Sequence, residues 1–297
     1  MVIYLNKIVA LATVLFCFFL NMCYNIQQFV GGIMDLEKLF IELGYTSEEY
    51  KKIRNNYSVV RACDEVFYNN VVRNYKWFLD LGYNKQEIKK IIKFLPAICC
   101  LNLENLNQKL EDLISLGYSK NDVIKMIKKF SSIFSISIEN IKQKMKDIEA
   151  LGYNEDEVLS MTRMFPVIFS LDVENIKQKN KDLENLGYTP DEVKKITVTF
   201  PQVYSLSVDN LTPKIEFYDS IELHRMVVKD PRNLMQSVNV SYARHKFLQE
   251  KGINITMANY KKIFVAHKQF EDQYKITKET LFEKYNYEED KKLIKSL

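Results

Sequence analysis

The chain has 297 residues and a formal net charge of +4, with 47% hydrophobic and 27% charged residues. This balance is typical of a folded globular protein and excludes an intrinsically disordered chain. The mild positive charge permits nucleic acid or an anionic membrane as a partner without requiring either. Glycine and proline are scarce, at 8 and 6 residues, which favours a chain that is almost entirely helical. The five cysteines form no CxxC pair, so we expect reduced thiols, with Cys99 and Cys100 in the core.

Residues 1–33 form an apolar leader, the first segment along the chain. Residues 8–20 are nearly all apolar and follow Lys7, but a membrane span needs about 20 such residues. Their length fits a signal peptide, although no small-x-small cleavage site follows. Three interpretations are open: an export signal, a membrane anchor, or a mis-called start with translation beginning at Met34. With a start at Met34 we expect an intracellular protein, cytoplasmic in a bacterium or organellar in a eukaryote.

The motif Leu-Gly-Tyr recurs along the chain. Its leucines are Leu43, Leu81, Leu116, Leu151 and Leu186, at intervals of 38, 35, 35 and 35 residues. The hexapeptide Glu-Asn-Ile-Lys-Gln-Lys also occurs twice at this interval, over 139–144 and 174–179. Self-similarity with a period of 20–50 residues indicates a solenoid, a fold built from stacked repeats.

Each Leu-Gly-Tyr motif precedes signals for the start of a helix. Two positions after the glycine comes a residue that favours a helix N-cap, and three residues later an acid that suits a capping box. The predicted N-caps are Thr46, Asn84, Ser119, Asn154 and Thr189. An apolar stripe with helical spacing follows and ends at Phe130, Phe165 or Phe200, and a proline usually comes next and ends the helix.

A second set of N-caps predicts a second helix in each repeat. These caps are Asn102, Ser137, Asp172 and Ser207, and the helices that they open bury Leu106, Ile141, Ile176 and Leu211. Such a two-helix unit cannot bury its apolar face alone, so neighbouring units must stack. We predict an irregular capping repeat over 34–81, four regular repeats over 82–221, and degenerate repeats with a charged tail over 222–297.

The combined pattern resembles the repeat of the mitochondrial transcription termination factor (mTERF) family. Phe200–Ser205 with Leu211–Phe217 matches best, and Asp230–Leu234 with Arg244–Leu248 resembles the C-terminal variant repeat of that family. The resemblance implies an all-α helical-repeat solenoid, a half-superhelix of about six to seven repeats with a 35-residue period. It also implies a concave, basic side that holds double-stranded DNA or structured RNA. The family acts in organellar transcription, translation and ribosome assembly, so we expect a regulator of transcription termination or of RNA or ribosome function.

Basic residues occupy equivalent positions in most repeats. Two columns on the first helix lie three residues apart and therefore on one face, and a lysine recurs on every regular second helix. Stacked repeats turn such columns into ladders of cations, which suit a phosphate backbone. The predicted nucleic-acid contacts are Lys90, Lys93, Lys125, Lys128, Arg163, Lys195, Lys109, Lys144, Lys179, Lys214, Arg225, Arg232 and Arg244.

These residues also have a purely structural interpretation. Acids accompany the lysines, and between 152 and 186 they outnumber the cations 7 to 4, as on a solvated surface. The second-helix lysines border the apolar stripe, so their stems can cover the core. The tyrosine of each motif can stack on bases but at a repeat joint is more often core. The alternative function is a scaffold that binds a protein partner on its concave face, and salt dependence would distinguish the two.

The sequence shows no recognisable catalytic or cofactor motif. The three histidines, His224, His245 and His267, lie in unlike contexts without spaced acidic or cysteine partners. A glycine-rich phosphate loop, a nucleophile elbow and metal-ligand spacing are also missing from the sequence. We therefore predict a monomeric, non-enzymatic protein without a cofactor, a metal or a small-molecule substrate.

Overall fold

The computed structural model describes residues 35–56 and 64–296, and every regular element within these ranges is a helix. The chain divides into two compact units, residues 1–107 and 108–297. The predicted leader lies outside the described residues, so its three interpretations remain predictions. Within the described ranges, no helix combines the length and the apolar character that crossing a bilayer requires.

The first unit contains helices that follow the predicted order. They are α1 (Leu36–Glu42), α2 (Ser47–Arg54), α3 (Asp64–Asp80) and α4 (Lys85–Phe94), then a 3₁₀ helix over Pro96–Cys100 and the start of α5 (Leu103–Ser115). Aromatic rings form much of this unit's core: the ring of Phe40 lies 5.1 Å from that of Tyr45 and 6.1 Å from that of Phe67.

The second unit repeats one pattern of first helix, 3₁₀ helix and second helix. Its repeats are α6 (Lys120–Lys129), Ser131–Ser135 and α7 (Ile138–Glu149); α8 (Glu155–Met164), Pro166–Ser170 and α9 (Val173–Asn185); and α10 (Pro190–Thr199), Pro201–Ser205 and α11 (Val208–Ser220). The degenerate repeat keeps this order with α12 (Met226–Lys229), Pro231–Met235 and α13 (Val238–Glu250). A 3₁₀ helix over Tyr260–Ile263, α14 (His267–Tyr274), α15 (Lys278–Lys284) and α16 (Tyr287–Ser296) complete the unit.

The predicted caps and helices are confirmed. All five predicted first-helix caps accept a hydrogen bond from the backbone three residues on, and four of them form a reciprocal capping box. The second-helix caps Asn102, Ser137 and Ser207 also accept from the backbone three residues on, and Asp172 accepts from the backbone of Glu174, two residues on. Because a cap satisfies helix amides that have no partner inside the helix, each start is fixed locally by one capping side chain, or by two where a capping box forms.

The predicted core, including Cys99, is confirmed except at Cys100 and Phe130, which are only partly buried. Leu106, Ile141 and Ile176 are fully buried, and Phe165 and Phe200 are 9% and 6% exposed. The equivalent Phe130 is only partly buried. The repeat array is therefore held together mainly by the apolar stripes of both helices, as the spacing predicts.

Most second helices end in a turn whose glycine has a positive φ. The turn after α11 has no glycine at that position. Gly152 has φ +98° and Gly187 has φ +97°. Thirty-five residues after Gly187 stands Glu222, which adopts φ +59°. The joint is therefore conserved in the backbone although the residue that favours it is missing.

Glu222→Gly is expected to raise the free energy of unfolding by about 0.5–1 kcal/mol. A left-handed conformation costs a non-glycine residue about 1–2 kcal/mol, and the greater freedom of glycine in the unfolded chain offsets about half of that gain. Gly152→Ala is the matched opposite change and should lower stability by about 1–2 kcal/mol, because a Cβ there meets no atom within 4 Å and only the conformation is strained. Denaturant unfolding measures both, and a destabilised Glu222→Gly variant would contradict the strain argument.

Candidate nucleic-acid interface

The first helices of the second unit lie against one another in chain order. Helix α8 contacts both α6 and α10, and α10 contacts α12. The face that the predicted columns occupy is open to solvent on each of the three regular helices. We call its four exposed members the interface cations: Lys125, Lys128, Arg163 and Lys195. Successive packed helices therefore carry at least one exposed cation each.

The first unit carries a corresponding pair. Lys90 and Lys93 lie three residues apart on α4, and both are exposed. Phe94 follows Lys93 at the end of the helix and is 76% exposed. This pair occupies the same two columns of the repeat as Lys125 and Lys128 on α6.

Acids from the preceding repeat contact some of the cations. Arg163 lies 3.8 Å from Asp122, and Arg225 contacts Glu192, the capping-box acid of α10. Lys194 lies 2.9 Å from Glu157 and also donates to the carbonyl of Gly152. The pKa of Glu157 lies below its usual value because the Asn154 amide donates to its carboxylate. Acids in the first turn of one repeat's first helix thus form ion pairs with cations of the next repeat.

The lysines of the second helices are engaged inside the protein. Each lies eight residues before the turn glycine, or before Glu222, and its Nζ donates to a backbone carbonyl of the next repeat. The acceptors lie at the ends of the 3₁₀ helices, with N–O distances of 2.5 Å for Lys109 and Ile136, 2.5 Å for Lys144 and Leu171, 2.6 Å for Lys179 and Leu206, and 2.6 Å for Lys214 and Leu234.

Burial of these ammonium groups argues against their predicted role as phosphate contacts. Lys179 and Lys214 are 8% and 4% exposed, which contradicts the prediction that they contact nucleic acid. Burial lowers the pKa of both, and also that of Lys109. Lys109 and Lys144 are partly buried and make the same contact. The second-helix lysines therefore fit the alternative interpretation better, in which their aliphatic stems cover the core. In addition, each ammonium group donates to a specific backbone carbonyl.

The prediction for Arg244 is wrong. This residue is 1% exposed, and its Nη1 donates to the carbonyls of Ile263 and Val265 at 2.9 and 2.7 Å. Its guanidinium lies 4.7 Å from the ring centre of Phe270, and burial lowers its pKa to about 10. Arg244 is enclosed because the 3₁₀ helix Tyr260–Ile263 and α14 pack over α13, so no phosphate can reach it.

Arg244 continues the column of internal donors. It lies eight residues before Gly252, as Lys214 lies eight before Glu222. Asn74 of the first unit lies eight residues before Gly82, and its side-chain amide donates to the carbonyl of Leu101 at 2.9 Å. We call the six members of this column the bridging donors: Asn74, Lys109, Lys144, Lys179, Lys214 and Arg244. The constant spacing from the glycine was visible in the sequence, but the acceptors were not.

Arg244→Met is expected to lower the free energy of unfolding by about 1–3 kcal/mol. The change removes a charged donor and leaves the partly buried carbonyl of Val265 without that partner, which costs about 1–3 kcal/mol, whereas the carbonyl of Ile263 keeps its hydrogen bond from Gln236. Arg232→Met is the control, because Arg232 is exposed and such surface changes usually stay within about 0.5 kcal/mol. Equal stability of the two variants in denaturant unfolding would show that the Arg244 contacts contribute nothing.

The tyrosines of the repeated motif are core residues, as the structural interpretation predicted. All five are at most 5% exposed. Two of them make equivalent bonds to a buried threonine of the next repeat: Tyr118 to Thr162 at 2.6 Å, and Tyr153 to Thr197 at 2.8 Å. These rings are enclosed by protein, and therefore cannot stack on bases.

Comparison with known proteins bears directly on this arrangement. The family model mTERF matches the chain over residues 65–148 and 112–271. No curated protein matches the sequence. The two overlapping matches cover more than half of the chain, and the resemblance seen in the repeat columns is confirmed. The chain therefore belongs to the mTERF family, whose members are non-enzymatic helical-repeat proteins that bind nucleic acids.

Proposed function

We propose that this protein binds duplex DNA or structured RNA through backbone phosphates, using the interface cations of the second unit. The observation that supports the proposal is the stack of α6, α8 and α10, in which each helix exposes a cation on the predicted face. Packed helices lie about 8–10 Å apart, a spacing that lets successive cations follow a charged backbone. We propose Lys90 and Lys93 as a corresponding contact set of the first unit.

The ion pairs at this face are compatible with phosphate binding. The side chains of Arg163 and Arg225 are 48% and 56% exposed. Exposed ion pairs contribute only about 0–1 kcal/mol, so exchanging a carboxylate for a phosphate costs little. Arg232 is exposed on the 3₁₀ helix of the degenerate repeat and extends the set. Lys109, Lys144, Lys179, Lys214 and Arg244 are excluded from the proposed contacts because their donors are used internally.

Charge distribution favours the repeat that contains α6 as the centre of the interface. Between 117 and 151 the cations outnumber the acids 7 to 4, and between 222 and 297 they do so 15 to 10. Residues 152–186 are net acidic, with Arg163 as an isolated cation on α8. We therefore propose that Lys125 and Lys128 make the strongest contacts, without reading base identity, because phosphates carry no sequence information.

We further propose that binding serves regulation of transcription, including its termination, or of RNA or ribosome function. The mTERF family match supports this role, and phosphate contacts alone do not choose between DNA and RNA. Recovery of the protein with bound nucleic acid, followed by sequencing, would identify the target class.

A salt titration tests the proposal directly. Affinity of the full chain for mixed-sequence duplex DNA and for structured RNA should fall steeply with salt, by about one unit of log–log slope per phosphate contact. Absence of binding to both at about 50 mM salt, where such contacts are strong, would refute the proposal. It would leave the solenoid as a scaffold for a protein partner.

A further inference from the structure

The bridging donors share one geometry across repeats that differ in sequence. An ammonium, an amide or a guanidinium occupies the position eight residues before the turn, and the acceptor always lies at the end of the following 3₁₀ helix. For Asn74, Lys109, Lys144 and Lys179 the acceptor lies 27 residues further along the chain. Different donor chemistry with one acceptor position indicates that the contact itself is what is retained.

The acceptor carbonyls need such a donor. The last carbonyls of a helix have no partner inside the helix and carry its negative partial charge, so a cation near them is favourable. Burying an ammonium is costly, and an apolar residue of similar length would avoid that cost. We therefore expect a lysine at this position to add little to the free energy of unfolding. Its main effect is to favour one position of the 3₁₀ helix over others.

Three of these contacts are made to segments whose first helix carries an interface cation. The segment that Lys144 holds at Leu171 begins with α8, which carries Arg163. Lys109 holds the segment that begins with α6, which carries the interface cations Lys125 and Lys128, and Lys179 holds the segment of α10 with Lys195. The bridging lysine of one repeat is thus bonded to the segment that carries the exposed cation of the next repeat.

We propose that the bridging lysines are positioning residues for nucleic-acid binding: they fix the spacing of the exposed cations from repeat to repeat and do not contact phosphate themselves. This inference rests on the proposed function. A positioning role differs from a purely stabilising one in what it predicts. Loss of a bridging lysine should weaken binding only when the cation of the following repeat is present.

A double-mutant cycle of Lys144 and Arg163 in the full chain tests the inference. Arg163→Gln should weaken binding to mixed-sequence duplex about tenfold, the effect of about one phosphate contact near 0.1 M salt. Lys144→Met should weaken it about three- to tenfold through loss of a charged hydrogen bond that holds the 3₁₀ helix after α8. In the double variant the Lys144 change should add almost nothing, because its effect passes through Arg163.

Two results would overturn the inference. If the two single effects multiply to about a hundredfold in the double variant, Lys144 acts independently, as a direct phosphate contact would. If Lys144→Met leaves affinity unchanged, the contact only stabilises the fold. Lys142→Met is the matched control, because Lys142 is exposed on the same helix and carries the same charge; its cycle with Arg163→Gln should show no coupling.

Hydrogen exchange without nucleic acid separates this inference from the proposed function. The amides of Ile168 and Leu171 are bonded within the 3₁₀ helix that Lys144 holds. These two amides should exchange faster in Lys144→Met than in the wild type. Their exchange rates should be unchanged in Lys144→Arg and in Lys142→Met. Faster exchange with no nucleic-acid binding by the wild type would refute the proposed function and the positioning role, and leave the bridge as a structural contact. Unchanged exchange would refute the bridge itself.

Discussion

Phe165→Ala is expected to lower the free energy of unfolding by about 3–5 kcal/mol, the usual cost of truncating a buried phenylalanine. Phe165 is the C-cap of α8, is 9% exposed, and is followed by Pro166, which is also buried. Removal of the ring leaves a cavity where the first helix meets its 3₁₀ helix. Because each repeat contacts mainly its neighbours, the damage should begin between 155 and 185 and spread from there.

Hydrogen exchange and denaturant unfolding measure this effect together. Phe94→Ala is the control: Phe94 is 76% exposed, and its truncation should change stability by less than about 0.5 kcal/mol. Phe130→Ala should fall between the two, because Phe130 is only partly buried. Uniform protection across all repeats in Phe165→Ala would contradict an array held by nearest-neighbour contacts.

Replacing Lys125 and Lys128 with glutamate is expected to weaken nucleic-acid binding about a hundredfold near 0.1 M salt, roughly tenfold for each lost phosphate contact. Both lysines are exposed on one face of α6. The loss should be equal for all sequences, and the log–log salt slope should become shallower by about one to two units. A salt titration on mixed-sequence DNA and RNA, wild type against variant, measures both quantities.

The control for this variant reverses the same amount of charge elsewhere in the repeat. Lys142 and Lys146 are exposed and one turn apart on α7, the second helix of the repeat. Lys142→Glu with Lys146→Glu should alter affinity far less, because these lysines lie outside the proposed face. Equal weakening by both double variants would show that net charge, and not the α6 face, governs binding.

Local patterns predicted most of this fold. The caps at Asn84 and Thr189 and the buried Ile141 follow from a few neighbouring side chains, so sequence spacing alone locates them. Arg244 was misassigned because its burial depends on the 3₁₀ helix over Tyr260–Ile263 and on α14, for which the degenerate repeat gives no pattern. A basic residue looks the same in a sequence whether its acceptor is a phosphate or a carbonyl.

The candidate interface was predicted only in part for the same reason. The columns of Lys125 and Arg163 are exposed, as their distance from the apolar stripe suggests. The column of Lys179 borders that stripe, which left packing and phosphate contact equally open. Its carbonyl acceptor lies 27 residues away in the next repeat, and no local periodicity identifies such a partner.

The hydrogen bonds between neighbouring repeats have a constant spacing along the chain, so the number of repeats can change without loss of these bonds. Excising residues 152–186 would join Leu151 to Gly187 and remove one whole period of 35 residues. Lys144 would then stand 27 residues before Leu206, the present acceptor of Lys179, and Tyr118 would stand 44 residues before Thr197, the present partner of Tyr153. Both of these bonds across the new joint keep a donor and an acceptor of the correct type. Deletion or duplication of whole periods is therefore a route by which such a chain can shorten or lengthen, during evolution or by design, while each remaining joint keeps its chemistry.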